Sequence, residues 1–300
     1  MALMTGIAAG SGMLLTGVLV WTLVWRKKET ERILELTEYL EKVNTGQDGV
    51  LLTEGEDAVS KLQDEIYKTV TELYQTREAA LLARQSLAEN LDNIAHQIKT
   101  PITAISLSVQ TMSQTPSPAQ LKEIRKQLSR LTYLEESLLL LARIDAGTLF
   151  LKKEEVDVFT VLSLAAENLQ ELFRKAGVSV SIPESGETLI TADMDWTMEA
   201  VMNLMKNCME HTPPGGTVSC SYEENPLYVQ IRIWDNGTGF DKEEIPRLFE
   251  RFYRGKNAKA GSIGIGLSLV KAIVERQNGT VAAENSAEGG ACFTIRFYRH

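Results

Sequence analysis

Two runs of apolar residues at alternating three- and four-residue spacing constrain the fold of this chain more than any other feature. The first run consists of Leu87, Leu91, Ile94, Ile98, Ile102 and Ile105. The second consists of Leu121, Ile124, Leu128, Leu131, Leu134, Leu138 and Leu141. Each run is typical of a helix with one apolar seam, and the turn-forming segment SQTPSPAQ separates them. The pattern predicts an antiparallel helical hairpin, whose seams would both be covered in a dimeric four-helix bundle.

The first 25 residues carry no charge, and Arg26, Lys27 and Lys28 follow them. Their length suits an α-helix that crosses about 30 Å of hydrocarbon. The positive charge follows the apolar stretch, whereas a secretory signal would carry it in front. We therefore predict a single-pass transmembrane helix over 1–25 in the cell membrane, with the following domains in the cytoplasm by the positive-inside rule. Almost nothing would then lie beyond the bilayer on the outer side.

Residues 26–84 contain two more periodic apolar runs, separated by the segment NTGQDG. A helix, a glycine-containing connector and a second helix directly after a membrane span resemble a HAMP signal-relay module. A plain coiled-coil linker is the alternative for this region.

The pattern changes after Leu151. The segments VSVSI, TVSCSY and YVQIRIWD alternate apolar and polar residues as strands do, and TVLSLAAENLQELFRKAG and WTMEAVMNLMKNCMEH have helical periodicity. We predict a separate α/β domain over 151–300.

His96 lies two positions from both seam residues Ile94 and Ile98, so we expect it to point away from the apolar stripe. Thr100 follows one turn later on the same face. Pro101 removes a backbone donor and would loosen or kink the helix beside His96. Because solvent-facing histidines are common, this segment by itself does not decide whether His96 is reactive.

Three features of the C-terminal domain suit a phosphate-bearing ligand. Asn203 and Asn207 lie four residues apart on one helix face, where their amide oxygens could meet a cation or a phosphate. Asp235 ends a predicted strand and is followed by Gly237 and Gly239, which allow close backbone approach. The segment GSIGIGLSLVK runs from a glycine-rich loop into a helix, whose free N–H groups favour an anion.

In this order, the motifs resemble those of a membrane-bound sensor histidine kinase of two-component signalling. HQIKTP resembles the H box, NLMKNCMEHT the N box, DNGTG the G1 box, LFERFYRG the F box and GIGLSLVK the G2 box. The resemblance implies a dimerisation and histidine phosphotransfer domain over 85–148. It also implies that the domain over 151–300 is an ATP-binding α/β sandwich, in which helices cover a mixed sheet.

Partners and cofactors follow from the same resemblance. It implies ATP and Mg²⁺, a homodimer and a cognate response regulator, and we expect a membrane sensor or transporter as a further partner. The net charge of −9 argues against nucleic acid, because binding to phosphate backbones requires an excess of Lys and Arg.

Carried over residue by residue, the resemblance implies that His96 is the phosphoacceptor and that Asp235 hydrogen-bonds the adenine amino group. Asn207 would hold the magnesium ion, and Asn203 would support the same corner. The other implied nucleotide-binding residues are Lys206, Gly237, Gly239, Phe249, Phe252, Arg254, Gly264, Gly266 and Leu267. Among them, the glycines would shape the pocket and its lid, and the two phenylalanines would anchor the lid.

The sequence departs from the family pattern at Gln97 and Glu210 and matches it at Thr100. Gln97 stands where the family usually has a Glu or Asp base, and an amide can orient the histidine but cannot take its proton. Thr100 matches the family position that orients water when the regulator is dephosphorylated. Glu210 stands where Lys or Arg is common and would repel the phosphates unless it faces away, so Lys206 or Arg254 would have to supply the charge. A kinase-deficient, nucleotide-binding signal-relay protein is therefore the alternative function.

Overall fold

The computed structural model describes residues 2–44, 58–112, 117–256, 258–259, 262–286 and 289–299, and among these it leaves out the side chains of 2–11, 13, 44 and 58. The connector at 45–57 and the turn residues 113–116 lie outside the described residues. The chain divides into two compact units, Met1–Ala88 and Glu89–His300.

The first unit consists of α1 (Ala2–Asn44) and the beginning of α2 (Ala58–Gln110). The rings of Tyr39 and Tyr67 lie 6.3 Å apart, and the hydroxyl of Tyr74 donates to the carbonyl of Val43 at 3.2 Å. The later residue of α1 contacts the later residue of α2, so the two helices run parallel. Within the described part of the chain, no helix combines the length and the apolar character that crossing a membrane requires.

The second unit begins with a helical hairpin of α2 and α3 (Pro118–Asp145). Arg130 donates to Gln97, and Gln120 donates to the carbonyl of Thr111. These pairs advance in opposite directions, so the helices are antiparallel, as predicted. The helix α2 continues through Pro101, so this proline does not end it.

Local sequence explains where α3 begins. The Ser117 hydroxyl accepts from the backbone N–H of Gln120 at 3.2 Å, and the Gln120 side chain accepts from the N–H of Ser117 at 3.1 Å. This reciprocal capping box satisfies two donors at the helix start. Pro118 occupies the first turn, where its missing N–H costs nothing.

An α/β domain completes the second unit. Its elements are β1 (Glu154–Asp157), α4 (Val158–Ala176), β2 (Ser179–Ser181), β3 (Leu189–Ala192), α5 (Met194–His211), β4 (Thr217–Glu224), β5 (Tyr228–Asp235), a 3₁₀ turn (Ile245–Arg247), α6 (Gly266–Arg276), β6 (Gly279–Asn285) and β7 (Ala291–Tyr298). The main sheet has the order β2-β4-β5-β7-β6, with β2 and β4 parallel and the other pairs antiparallel. β1 and β3 form a separate antiparallel ribbon. The predicted order of a helical region followed by an α/β domain with a mixed sheet is confirmed.

The core of this domain lies between the sheet and the helices α4, α5 and α6. Leu204 on α5 and Ile233 on β5 are fully buried, and Leu269 on α6 is 2% exposed. Asp157 caps α4 and Asp193 caps α5, each through its carboxylate. This packing holds the ends of α5, β5 and α6 in fixed positions, and these ends carry the predicted site residues.

Candidate functional site

A cavity of about 760 Å³ lies between α3 and the α/β domain. Eight of the predicted ligand-binding residues line it, namely Asn203, Lys206, Asn207, Gly239, Arg254, Gly264, Gly266 and Leu267. Seven other predicted site residues lie outside its lining, namely His96, Gln97, Thr100, Asp235, Gly237, Phe249 and Phe252. The cavity therefore collects most of the N-box and G2-box positions, but not the phosphoacceptor.

The helix α5 presents two asparagines to this cavity in different states. The Asn203 side chain is engaged, since its Oδ1 accepts from the Tyr133 hydroxyl at 3.2 Å and its amide nitrogen donates to Glu199 at 2.9 Å. Asn207 Oδ1 is buried, and none of the described residues donates to it. An amide oxygen is a ligand that Mg²⁺ accepts. The geometry of Asn207 therefore fits the predicted magnesium ligand.

Asp235 lies at the end of β5 and is only 1% exposed. Its Oδ1 accepts from the N–H groups of Gly237 at 2.8 Å and Ala291 at 3.2 Å. Its Oδ2 is buried, and no N–H or O–H group in the described part of the chain donates to it. A Cβ at Gly237 would collide with the backbone carbonyl of His211, so only glycine fits there. Asp235 thus keeps one acceptor oxygen available to a ligand.

Cys208 on α5 is fully buried close to this carboxylate. Burial is the main reason that the pKa of its thiol lies well above the ordinary value, and the negative charge of Asp235 raises it further. Cys208 is therefore a protonated, unreactive thiol in the core.

The F-box and G2-box segments meet through their backbones. Gly264 has a φ of +79°, and a Cβ there would lie 2.6 Å from the carbonyl oxygen of Tyr253. Phe252 is itself in the left-handed region at φ 63°, which is unusual for a bulky residue. The ring of Phe249 packs edge-on against Phe293, with centroids 6.5 Å apart. The two F-box phenylalanines therefore pack into the core, while the neighbouring glycine lines the cavity.

The H-box residues lie on α2, mostly on its solvent-exposed side. His96 and Thr100 are exposed, and Gln97 is half-buried. The hydroxyl of Thr100 donates to the backbone carbonyl of His96 at 3.1 Å. Gln97 Oε1 accepts from Arg130 Nη2 at 2.9 Å, and Arg130 lines the cavity. One hydrogen bond therefore connects the neighbour of His96 to the wall of the cavity.

The sequence motifs did not indicate the second wall of the cavity. It comes from α3 and includes Lys126, Arg130 and Tyr133. These residues are spaced by four and three, so they form a polar stripe beside the apolar seam. This spacing was the available signal, but it does not reveal what the stripe faces.

The charges around the cavity are mixed. Glu210 lines the cavity, so it does not face away as the predicted site would require. The Lys206 ammonium lies over the ring of Tyr133, 5.5 Å from its centroid. Arg254 Nη2 donates to the backbone carbonyl of Lys259 at 3.5 Å. Burial raises the pKa of Tyr133 above its ordinary value, so its hydroxyl stays protonated and can donate to Asn203.

Comparisons with known proteins agree with this geometry. Residues 86–147 match the His Kinase A (phospho-acceptor) domain, and residues 192–300 match the histidine kinase-, DNA gyrase B- and HSP90-like ATPase domain. The signal transduction histidine-protein kinase BaeS of Escherichia coli is 26% identical over 78% of this chain and 51% of its own length. The chain spans about half the length of the first curated relatives it matches.

Solved structures show the same fold. The Acinetobacter baumannii histidine kinase AdeS aligns with a TM-score of 0.58 and 22% identity, covering 68% of this chain and 97% of that chain. The histidine kinase ThkA, solved in complex with the response regulator protein TrrA, aligns with a TM-score of 0.57 and 21% identity over 79% of this chain and 67% of its own.

Proposed function

We propose that this chain, which belongs to the two-component sensor histidine kinases, transfers the γ-phosphoryl group of ATP to His96. From there the group would pass to an aspartate of a response regulator. One observation carries the proposal: at the positions of the N and G1 boxes, a buried acceptor oxygen on Asn207 and another on Asp235 receive no N–H or O–H donor from the described residues.

In the proposed complex, Asp235 Oδ2 accepts a hydrogen bond from the adenine amino group, while Gly237 and Ala291 hold the other oxygen in place. Asn207 Oδ1 would hold the magnesium ion, and Asn203 would support the same corner from one turn earlier. When bound, this ion would neutralise part of the charge on the phosphates. The glycines at 239, 264 and 266 allow the nucleotide to approach the backbone.

In the transfer step, a ring nitrogen of His96 uses its lone pair to form a bond to the γ-phosphorus. The bond between that phosphorus and the bridging oxygen breaks, and its electron pair leaves on ADP. The imidazole proton passes to water, because the Gln97 amide cannot accept it at neutral pH. In a separate phosphatase reaction, Thr100 would orient a water molecule that attacks the phosphorus of the phosphorylated regulator, which releases inorganic phosphate and the free aspartate.

The hairpin would also assemble the chain into a dimer that a response regulator can approach. Exposed seam residues such as Ile102 (49%) and Leu128 (51%) support a homodimeric four-helix bundle. The crystal structure of ThkA with TrrA supports a response regulator as partner. We propose domain boundaries at 85–148 for the phosphotransfer domain and 151–300 for the ATP-binding domain.

We also propose that residues 1–25 cross the cell membrane once, with the catalytic domains in the cytoplasm and a membrane sensor or transporter as a further partner. Trp21 and Trp25, which are 67% and 56% exposed, support this as interfacial anchors. The parallel packing of α1 on α2, through Tyr39 and Tyr67, supports a HAMP-like relay over 26–84.

Incubation with γ-labelled ATP and Mg²⁺ tests the central proposal. The chain of residues 1–300 should acquire a label that is stable in alkali and lost in acid, and His96→Ala should abolish it. His300→Ala is the matched control and should label normally. An unlabelled wild-type chain that still binds ATP would instead identify the kinase-deficient relay protein.

A further inference from the structure

Arg130 on α3 has an unusual combination of contacts. Its Nη2 donates to Gln97 Oε1 at 2.9 Å, across the helical hairpin. Its Nε is buried, and the described residues offer it no acceptor. The side chain also lines the cavity that holds Asn207 and the glycine loop. A buried donor without an acceptor is destabilising, so its position beside a cavity points to an acceptor on a ligand.

The charges of the opposite wall indicate what that ligand group is. Glu210 faces the cavity from α5, where it would repel phosphate oxygens. The Lys206 ammonium is engaged with the ring of Tyr133, and Arg254 donates to a backbone carbonyl. Several cations line the cavity, and among the described ones Arg130 is the one whose buried donor has no acceptor. It lies on the wall opposite Glu210, and an anionic oxygen would satisfy both its charge and its Nε.

We propose that Arg130 is a catalytic residue that binds the γ-phosphoryl group of ATP and holds it beside His96. The guanidinium has several donors in one plane, so it can bind a phosphoryl oxygen and Gln97 at the same time. Gln97 directly follows His96 on α2, and the two side chains lie about 100° apart around the helix. A phosphoryl group bound to Arg130 would therefore lie within one residue of its acceptor, towards the cavity side of α2. As the γ-phosphorus moves from the bridging oxygen of ADP to the imidazole nitrogen, Arg130 neutralises charge on its peripheral oxygens.

The inference rests on the proposed kinase function and adds a structural consequence to it. The neutralising cation would belong to the hairpin and not to the ATP-binding domain. The γ-phosphoryl group would then be stabilised only when α3 forms the second wall of the cavity. Gln97 would serve as the acceptor that orients Arg130.

Autophosphorylation of the chain of residues 1–300 at saturating ATP tests this assignment. Arg130→Gln should lower the rate constant about 100-fold, because it removes a charge that acts on the transferred group. The affinity for ADP, measured by displacement of a fluorescent ADP analogue, should stay unchanged, since ADP lacks the γ-phosphoryl group. Arg125→Gln is the matched control, because Arg125 is exposed on the same helix and does not line the cavity.

The possible outcomes separate the assignment from the proposed function. A wild-type chain that fails to label contradicts the kinase function itself. A labelled wild type with an unchanged rate in Arg130→Gln overturns the role of Arg130, as does an equal loss of ATP and ADP affinity, which indicates a structural role. If Arg130→Gln does not fold, Arg130→Lys replaces it, since it keeps the charge. We expect it to be about tenfold slower with normal ADP affinity, and a wild-type rate would overturn the proposal.

Discussion

The α/β domain and the helical hairpin bury their apolar side chains to very different extents. In the domain, Ile233 is fully buried and Leu269 is 2% exposed, whereas in the hairpin the seam residues Ile102 and Leu128 are 49% and 51% exposed. The division also runs through α3, whose buried residues all lie between Leu134 and Leu141, in its C-terminal half. The domain completes its core within one chain, while the seam of the hairpin requires a second surface to cover it.

Two matched truncations test this difference most strongly. Leu269→Ala should lower the free energy of unfolding of the α/β domain by about 3 kcal/mol, because it leaves a cavity in a closed core. Leu107→Ala should change the same transition by less than about 0.5 kcal/mol, because its side chain contributes nothing to that core. Denaturant unfolding of both variants checks the prediction, and equal losses would contradict the separation of the two cores.

The carboxylate of Asp235 is the polar group whose loss should affect nucleotide binding most. In Asp235→Asn, the amide oxygen can still accept from Gly237 and Ala291, so we expect the fold to remain. The free acceptor Oδ2 becomes an N–H donor, and we expect ATP affinity to fall about 100-fold. Titration with ATP measures this, with the exposed Asp195→Asn as control. Normal affinity would show that Oδ2 does not contact the nucleotide.

A charge on the exposed seam should affect assembly without unfolding the domain. In Ile102→Glu, a carboxylate would be buried at the proposed dimer interface, so we expect the dimer to dissociate at micromolar concentrations. The control Thr103→Glu introduces the same charge at the adjacent exposed position. Light scattering gives the masses, and a dimeric Ile102→Glu protein would exclude this seam from the interface.

Substitution of Thr100 tests whether this exposed residue of the hairpin contributes to the phosphatase reaction and not to the fold. Thr100→Ala should reduce dephosphorylation of the regulator about tenfold, because the hydroxyl that orients water is lost. Autophosphorylation should continue, and Thr100→Ser should restore the phosphatase activity. Loss of both activities would instead indicate a structural role for the bond to the His96 carbonyl.

The smallest effect is expected at the ion pair that joins the two regions. Arg251 donates to both carboxylate oxygens of Asp145, at 2.7 and 2.8 Å. This contact holds the pKa of Asp145 below its ordinary value of 3.8. A lowered carboxyl pKa adds stability above the ordinary value, and this stability disappears as the pH falls through the folded-state pKa.

Because both side chains of this pair are more than one third exposed, we expect at most about 0.5 kcal/mol from it at neutral pH, and less in high salt. Asp145→Asn should remove this contribution together with its pH dependence below about pH 4. Thermal unfolding of wild type and variant at pH 7 and pH 3 provides the measurement. A difference that grows towards low pH would contradict the sign of the effect.

The hairpin and the order of elements in the α/β domain could be predicted from the sequence because they depend on neighbouring residues. The three- and four-residue spacing from Leu87 to Ile105 appears in the structure as part of one helix, and the alternating segment YVQIRIWD appears as β5. Asn203, Asn207 and Gly264 could be assigned to one site because the short motifs that contain them indicate ligand-binding residues by residue type and spacing alone. The same reasoning applies to Glu210, which follows Asn203 and Asn207 at spacings of four and three and so lies on the same face of α5.

By itself, the sequence determined most of the helical and strand elements and many residues of the first cavity wall, and it predicts His96 as the phosphoacceptor. Spacing, capping and glycine positions are properties of adjacent residues, so they can be seen without the fold. Only the tertiary structure decided that α3 supplies the second wall, that Tyr133 meets Asn203 and that Gln97 accepts a hydrogen bond from Arg130. These pairs are 70 and 33 residues apart, and their contacts depend on how the helices pack, which no short sequence pattern encodes.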